Sequence, residues 1–301
     1  MEIVATFAEA RARSGRIGLV PTMGFLHEGH VSLLGAARSE CDVVVMTLFV
    51  NPLQFEEQND LDRYPRDLER DAAIAEAAGV DVIVAPSVVE VYPVWPPATI
   101  VHVESLTEAM EGAHRPGHFD GVATVVAKLF AGTQADRAYF GRKDAQQLAV
   151  VRAMARDLSF PIDVRGMPIL REPDGLALSS RNVFLDPDRR AAARSLSAGL
   201  MAAADAVDAG ERSAAVAAAI AFDRMAQTPG VEPEYAEVAG QDDVASRYTL
   251  DEPTFLAVAA RVGDVRLIDN VHFDITDSGD VVSDRGIRLK DQSILYQGDA
   301  T

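Results

Sequence analysis

The chain has little of several things. In 301 residues it has one cysteine, Cys41, and three lysines, Lys128, Lys143 and Lys290. One cysteine excludes an internal disulfide and fits a reducing cytoplasm. Cys41 opens an apolar run and reads as core. No window of about 18 uncharged apolar residues occurs, so no membrane-spanning helix is expected. The opening stretch MEIVATFAEARARSGR has no basic segment followed by an apolar one, and does not read as a signal peptide. Positive charge is scarce as well: 28 Lys and Arg stand against 46 Asp and Glu, a net charge of −18. That balance argues against a nucleic-acid surface, and any anionic ligand must be met by basic groups placed locally. Because the other Lys/Arg residues are all arginine, a retained lysine points to a position that needs a compact ammonium, although genome composition also sets Arg and Lys usage.

What is present is enough apolar material for a substantial core, 48% of the residues. The length passes the size at which one core usually splits into two. Short, continuously apolar runs predict strands over 16–20, 42–50, 80–85, 136–140 and 162–165. Amphipathic stretches predict helices over 28–39, 66–78, 119–132 and 144–158. Strands apolar on both faces, alternating with helices, predict an α/β domain with a parallel sheet flanked by helices. The texture changes after residue 175. Two Ala-rich helices, 187–207 and 212–227, precede strand-like segments at 233–239, 254–262 and 265–273. Asp186-Pro187 marks a helix start, with Asp as cap and Pro in the first turn. The expected organisation is a first domain over 1–175, a smaller α+β domain over 176–275, and a charged tail, 276–301. That tail is expected to lie loosely on the surface, with weak strand signals near 287–296.

The strongest chemical signal is GLVPTMGFLHEGH, residues 18–30. An apolar strand meets the turn Pro21–Gly24, and His27 and His30 follow three residues apart, at the expected first turn of a helix. Free backbone N–H groups at a helix start bind phosphate, and two imidazoles beside them add donors. Zinc is a weaker reading, because zinc proteases space their histidines at i and i+4 and here a glycine lies within an i, i+3 pair. A merely packed histidine pair is weaker too.

Four further clusters sit at the ends of predicted strands or beside predicted helices. Gln54 follows Asn51-Pro52, where a proline stops the ladder. Its amide suits a hydroxyl or a carboxylate at a strand C-terminus, although alone it would read as a solvated loop residue. His114, Arg115 and His118 lie among Gly112, Gly117 and Gly121 before a helix, a basic, anion-friendly entry that could equally be a surface loop. Gly141 ends a strand and Lys143 opens a helix, with Gln146 and Gln147 within the next turn. Lysine is disfavoured at a helix start by the dipole, so Lys143 points to an anionic ligand. Ser179, Ser180 and Arg181 combine two hydroxyls with a guanidinium, a clamp for phosphate oxygens.

PTMGFLHEGH, FVNPLQF, RPGHFDGV, YFGRKD with its two glutamines, and DGLALSSRN occur in this order. In that order the chain resembles the pantothenate synthetases, the pantoate–β-alanine ligases of the nucleotidylyltransferase superfamily with an HxGH motif. The resemblance covers about residues 1–275, including RLIDN at 266–270. It implies a Rossmann-like first domain, a smaller C-terminal lid domain, a homodimer, ATP and Mg2+, and a cytoplasmic role in making pantothenate for coenzyme A.

The same resemblance implies residue roles. Met23, Gly24, Phe25, Leu26, His27, Glu28, Gly29 and His30 would form an ATP-binding segment, with His27 on the phosphates and His30 stabilising charge or donating a proton. Gln54 and Gln147 would hold pantoate. Gly141, Arg142, Lys143 and Asp144 would bind ATP, with Lys143 on its phosphates. Leu170, Leu178, Ser179, Ser180 and Arg181 would close over ATP, and Asp71 would help to hold the metal. One position departs from the pattern: the usual Gly-Glu-Lys-Asp has Arg142 in place of Glu. Arg142 is expected either to alter ATP affinity or to pair with an acidic neighbour.

The implied reaction has two steps. Pantoate attacks the α-phosphorus of ATP and pyrophosphate leaves; β-alanine then attacks the pantoyl adenylate and AMP leaves. Such chemistry needs no protein nucleophile, only anions brought together and their spreading charge stabilised. Two alternatives remain open on the sequence: a related HxGH nucleotidyltransferase making another product, and a nucleotide-binding regulatory protein without turnover.

Overall fold

The computed structural model describes residues 1–55, 61–62 and 64–296. In the first sheet, strands β1 (Glu2–Val4), β2 (Ile17–Thr22), β3 (Val43–Leu48), β4 (Val82–Val84), β5 (Arg137–Gly141) and β6 (Asp163–Met167) lie in the order β1-β4-β3-β2-β5-β6. All neighbours are parallel. The reason is visible along each strand. Leu19, Val45, Val82 and Val84 point into one apolar cluster. Val20, Val44, Met46 and Ile83 point into another on the opposite face. Each such side chain contributes about 1.5–3 kcal/mol on burial, and neither face can be left to water.

Helices cover both faces. Leu33, Leu34 and Ala37 of helix Glu28–Glu40 and Ala75 of helix Leu68–Ala77 complete one cluster. Helix His118–Thr133 and residues Leu148, Val151 and Met154 of helix Ala145–Asp157 complete the other. Cys41 is the C-cap of helix Glu28–Glu40 and is buried in the first of these faces. Its Sγ lies 3.4 Å from the Tyr139 hydroxyl. Gly18 is kept small by the same thiol, since a Cβ there would stand 2.9 Å from it.

Strand order reverses at β2 and β5, which are adjacent although more than a hundred residues separate them in the chain. In open parallel sheets the crevice beyond the strand C-termini at such a switch point is where ligands bind. Two of the sequence motifs, Pro21–His30 and the run from Gly141, leave the sheet there.

The chain divides into two compact units. The first comprises Met1–Gly141 and Gln147–Met167; the second comprises Arg142–Gln146 and the chain from Pro168 onward. The division falls before the expected boundary at 175, because β7 (Leu170–Arg171) packs with later residues. The second unit is built on an antiparallel sheet of β8 (Val231–Gly240), β9 (Thr254–Val262), β10 (Val265–Ile275) and β11 (Val281–Asp284). Helices Pro187–Asp208 and Ala214–Ala226 bury Leu196, Leu200, Ala217 and Met225 together with Val258, Ala260, Leu267 and Phe273 of this sheet. Asp186 caps the first helix as expected, accepting from the Arg189 amide at 2.8 Å.

The stretch 276–296 is not a loose tail. It supplies β11, which pairs with β10, and β12 (Ile287–Arg288), which pairs parallel with β7. Its strands are short and alternate weakly, so their hydrogen bonds rather than a hydrophobic face place them.

Candidate active site

The first unit carries the Pro21–His30 motif. Gly24 (φ 92) and Phe25 (φ 53) turn the chain sharply after β2. Glycine is required at 24, where a Cβ would also stand 2.9 Å from Asp71 Oδ2. Asp71 fixes the turn: its two oxygens accept the Phe25 and Leu26 amides, each at 2.8 Å. Arg70 donates to the Leu26 carbonyl at 2.9 Å and lies over the Phe25 ring. Burial pushes the Asp71 pKa up, against the pull of the Leu26 and Phe25 amides and Arg70. Asp71, expected to help hold the metal, is seen here as the brace of the turn. The carboxylate is 1% exposed and both oxygens are committed to backbone N–H groups.

His27 and His30 cap the helix together. His27 is the N-cap, its Nδ1 accepting the Gly29 amide at 3.1 Å, and His30 Nδ1 accepts the His27 amide at 3.3 Å. An accepting Nδ1 places the proton of the neutral ring on Nε2. Each imidazole thus carries its N–H on the nitrogen away from the backbone. The rings are 4.2 Å apart, centroid to centroid.

Gln54 ends a short 3-10 turn, Pro52–Gln54, and its Nε2 reaches Met23 Sδ at 3.4 Å, so the turn stands against the motif. Asn51 holds it. Asn51 is 1% exposed, accepts from the Tyr92 hydroxyl at 2.8 Å, and donates to the Gly121 carbonyl and to Gln54 Oε1. Arg115 and His118 donate to the Gln54 carbonyl at 3.2 and 3.0 Å. The Gly-rich basic entry to helix His118–Thr133 thus holds the main chain of Gln54. Gly121 permits this approach, because a Cβ there would stand 2.5 Å from the Leu53 carbonyl oxygen. Gln147 is half-buried on helix Ala145–Asp157.

The second unit carries Arg142, Lys143 and Asp144 on one short 3-10 segment, Arg142–Asp144, and Ser180 and Arg181 on another, Ser180–Phe184. The carbonyls of Arg142 and Lys143 both accept from Asn270 Nδ2, at 3.0 and 2.6 Å, and His272 Nε2 donates to the Arg142 carbonyl at 3.3 Å. Burial, reinforced by the Arg142 guanidinium, holds the His272 pKa down at about 4. Of the two expectations for Arg142, the pairing one holds: its guanidinium meets Asp284 at 3.1 Å and Asp274 at 3.3 Å. Leu170 and Leu178 are brought together, the Leu178 amide donating to the Leu170 carbonyl at 2.9 Å. Ser179 caps Ser180–Phe184 by accepting the Arg181 amide. Asn182 anchors the loop to Glu172 at 2.8 Å and to the Ala177 carbonyl at 3.0 Å.

The sequence did not single out Asn51 in the first unit, or Glu172, Asn182 and Asn270 in the second, as the groups that hold these segments. Each is a polar residue at most 2% exposed, and buried polar groups persist where their hydrogen bonds are needed. The available signal was their place inside motifs already noted: Asn51 in FVNPLQF, Asn182 in SSRN and Asn270 in RLIDN.

A parallel sheet with a phosphate-ready strand–turn–helix at its switch point defines a nucleotide-binding α/β protein. The comparison with known families narrows the class: a model described as pantoate-beta-alanine ligase matches residues 1–272, and the chain belongs to that family. The pantothenate synthetase of Moorella thermoacetica is 51% identical over 270 residues, spanning 90% of this chain and 95% of that protein. The crystal structure of pantothenate synthetase from Thermus thermophilus superposes with a TM-score of 0.85 at 48% identity, covering 90% of this chain and 98% of the other. The pantoate-beta-alanine ligase of Francisella tularensis, solved with beta-gamma ATP and beta-alanine, gives 0.71 at 30% identity, covering 90% and 97%.

Proposed function

We propose that this protein joins pantoate to β-alanine at the expense of ATP, through a pantoyl adenylate, releasing AMP and pyrophosphate. Family membership over residues 1–272 supports the ligation. The observation that carries the chemistry is the pair of imidazoles whose Nδ1 atoms are taken up by backbone amides. A neutral imidazole of this tautomer carries an Nε2–H, a donor suited to phosphate oxygens at a helix start.

In this reading a pantoate carboxylate oxygen attacks the α-phosphorus, and the P–O bond to the β-phosphate breaks. His30 stabilises the charge that gathers on the α-phosphoryl oxygens, and His27 holds the departing pyrophosphate. Lys143 and Arg181 grip the phosphates, while Gln54 and Gln147 orient pantoate. The residues Met23–His30, Gly141–Asp144, Leu170 and Leu178–Arg181 bind ATP. The amine of β-alanine then attacks the acyl carbon, and AMP leaves with the oxygen that came from pantoate.

Magnesium enters as part of the ATP substrate. Magnesium is usually held by one or two carboxylates together with substrate phosphates, and Asp71 is the carboxylate proposed to help hold it. No helix among the described residues is long and apolar enough to cross a membrane. A reducing cytoplasm accords with the single buried cysteine, and the homodimer is proposed on the family resemblance alone.

The test uses pantoate labelled with 18O in its carboxylate, ATP, magnesium and β-alanine. Pantothenate, pyrophosphate and AMP bearing one labelled oxygen are expected. ADP and phosphate as products would overturn the adenylate route, and binding of ATP without any product would favour a regulatory protein.

A further inference from the structure

The family match ends at residue 272, yet the chain beyond it is knitted to the segments that carry the expected ATP residues of the second unit. Asp284, at the end of β11, meets the Arg142 guanidinium, one residue from Lys143. In β12, Ile287 stands opposite Leu170. The Ile287 and Leu289 amides donate to the carbonyls of Ile169 and Arg171 at 2.7 and 2.8 Å. Arg171 in turn donates to the Arg285 carbonyl and to Asp269, each at 2.7 Å. Tyr296 donates to Glu172 at 3.0 Å and accepts from Arg190 at 2.6 Å. Glu172 is the carboxylate that holds Asn182, the neighbour of Arg181.

We propose that residues 281–296 form a strap that positions the ATP-binding residues of the second unit, anchored at the side chains of Arg142 and Tyr296, whose guanidinium and hydroxyl position the segments while the Arg142 main chain stays with the ATP-binding run. This rests on the proposed ligase function. Lys143 and Arg181 sit on 3-10 segments of three and five residues, and such short pieces have too few internal hydrogen bonds to fix their own orientation. The strap supplies what they lack. The groups it ties to are mostly dry, Arg171 and Asp269 each 3% exposed and Glu172 and Asn182 each 1%, while the Arg142–Asp284 pair is partly exposed. Groups desolvated in this way hold one geometry, because losing a partner leaves a buried polar atom unsatisfied. A tail that merely covered the surface would need no such set.

Two single variants and one exchange test the strap. Arg142→Glu sets a carboxylate against Asp274 and Asp284, Tyr296→Phe deletes one hydroxyl, and Arg142→Asp with Asp284→Arg exchanges one ion pair. For each, KM for ATP and for pantoate, the Kd of a β,γ-nonhydrolysable ATP analogue by calorimetry, and Tm are measured. Arg142→Glu is expected to raise the ATP KM and the analogue Kd about 5- to 10-fold, the scale of losing a partly buried charge pair. The pantoate KM should stay within about twofold, because Gln54 and Gln147 belong to the other unit. Tyr296→Phe should raise both ATP constants about 2- to 5-fold. The exchange should recover most of the loss.

Unchanged ATP constants in both single variants would overturn the proposal. So would a parallel rise in both KM values that tracks a fall in Tm, or an exchange that rescues nothing. If the parent protein forms no pantothenate yet binds the analogue, the functional reading has failed and the calorimetric arm still decides the strap.

Discussion

Phe25 occupies the left-handed region at φ 53, where a side chain other than glycine is disfavoured. Hydrogen bonds from its own amide and that of Leu26 to one buried carboxylate hold it there, and a guanidinium lies over its ring. Asp71→Asn keeps the shape but turns an NH2 group toward a backbone N–H. The expected cost is about 1–3 kcal/mol of stability, with a slower adenylation step because the turn leads directly into His27. Denaturant melts and single-turnover adenylation of the same variant measure both. Slower adenylation with parental stability would show Asp71 acting on the ligand and not on the turn.

Among the elements, the crossing of helix His118–Thr133 over the turn Pro52–Gln54 depends on a missing methyl. Gly121→Ala would push a Cβ to 2.5 Å from the Leu53 carbonyl oxygen. Overpacking of this kind costs about 1–3 kcal/mol, and the displacement falls on Gln54. The pantoate KM should rise about tenfold while the ATP KM holds, which steady-state kinetics reads directly. A rise in both alike would mean that Gln54 does not orient pantoate. Nothing local in RPGHFDG announces this crossing. The central strands were legible because each is continuously apolar, and the HxGH segment because strand, turn and imidazoles follow within thirteen residues. β1, β7 and β12, of three, two and two residues, are too short to show a period. The brace at Asp71 and the hub at Asn51 depend on partners 45 and 70 residues away, which no spacing rule reports.

At the scale of the whole molecule, the −18 charge sits on a fold that keeps one histidine neutral in its second unit. His272 is lowered from 6.5 to about 4 by burial first and then by Arg142, against the opposing influence of the Arg142 carbonyl, Asp284 and Asp274. Between those two values the unfolded chain takes up a proton that the folded chain refuses. The contribution of His272 to stability is therefore fully present above about pH 6.5 and is lost as pH drops toward 4, by an amount on the order of 3 kcal/mol. Denaturant midpoints at pH 7.5 and pH 5 should differ less in His272→Gln than in the parent. An equal difference in both would place the acid sensitivity elsewhere.

The single thiol has a practical consequence. Cys41 lies inside the first unit, and the second unit contains no cysteine. A sulfhydryl reagent reaches this sulfur only when the parallel sheet and its covering helix part, so the rate of modification clocks that opening. The second unit is silent to the same reagent. One natural side chain thus serves as a stopwatch for half of the molecule, and ATP, if it clasps the turn after β2, should slow the stopwatch without any label being engineered.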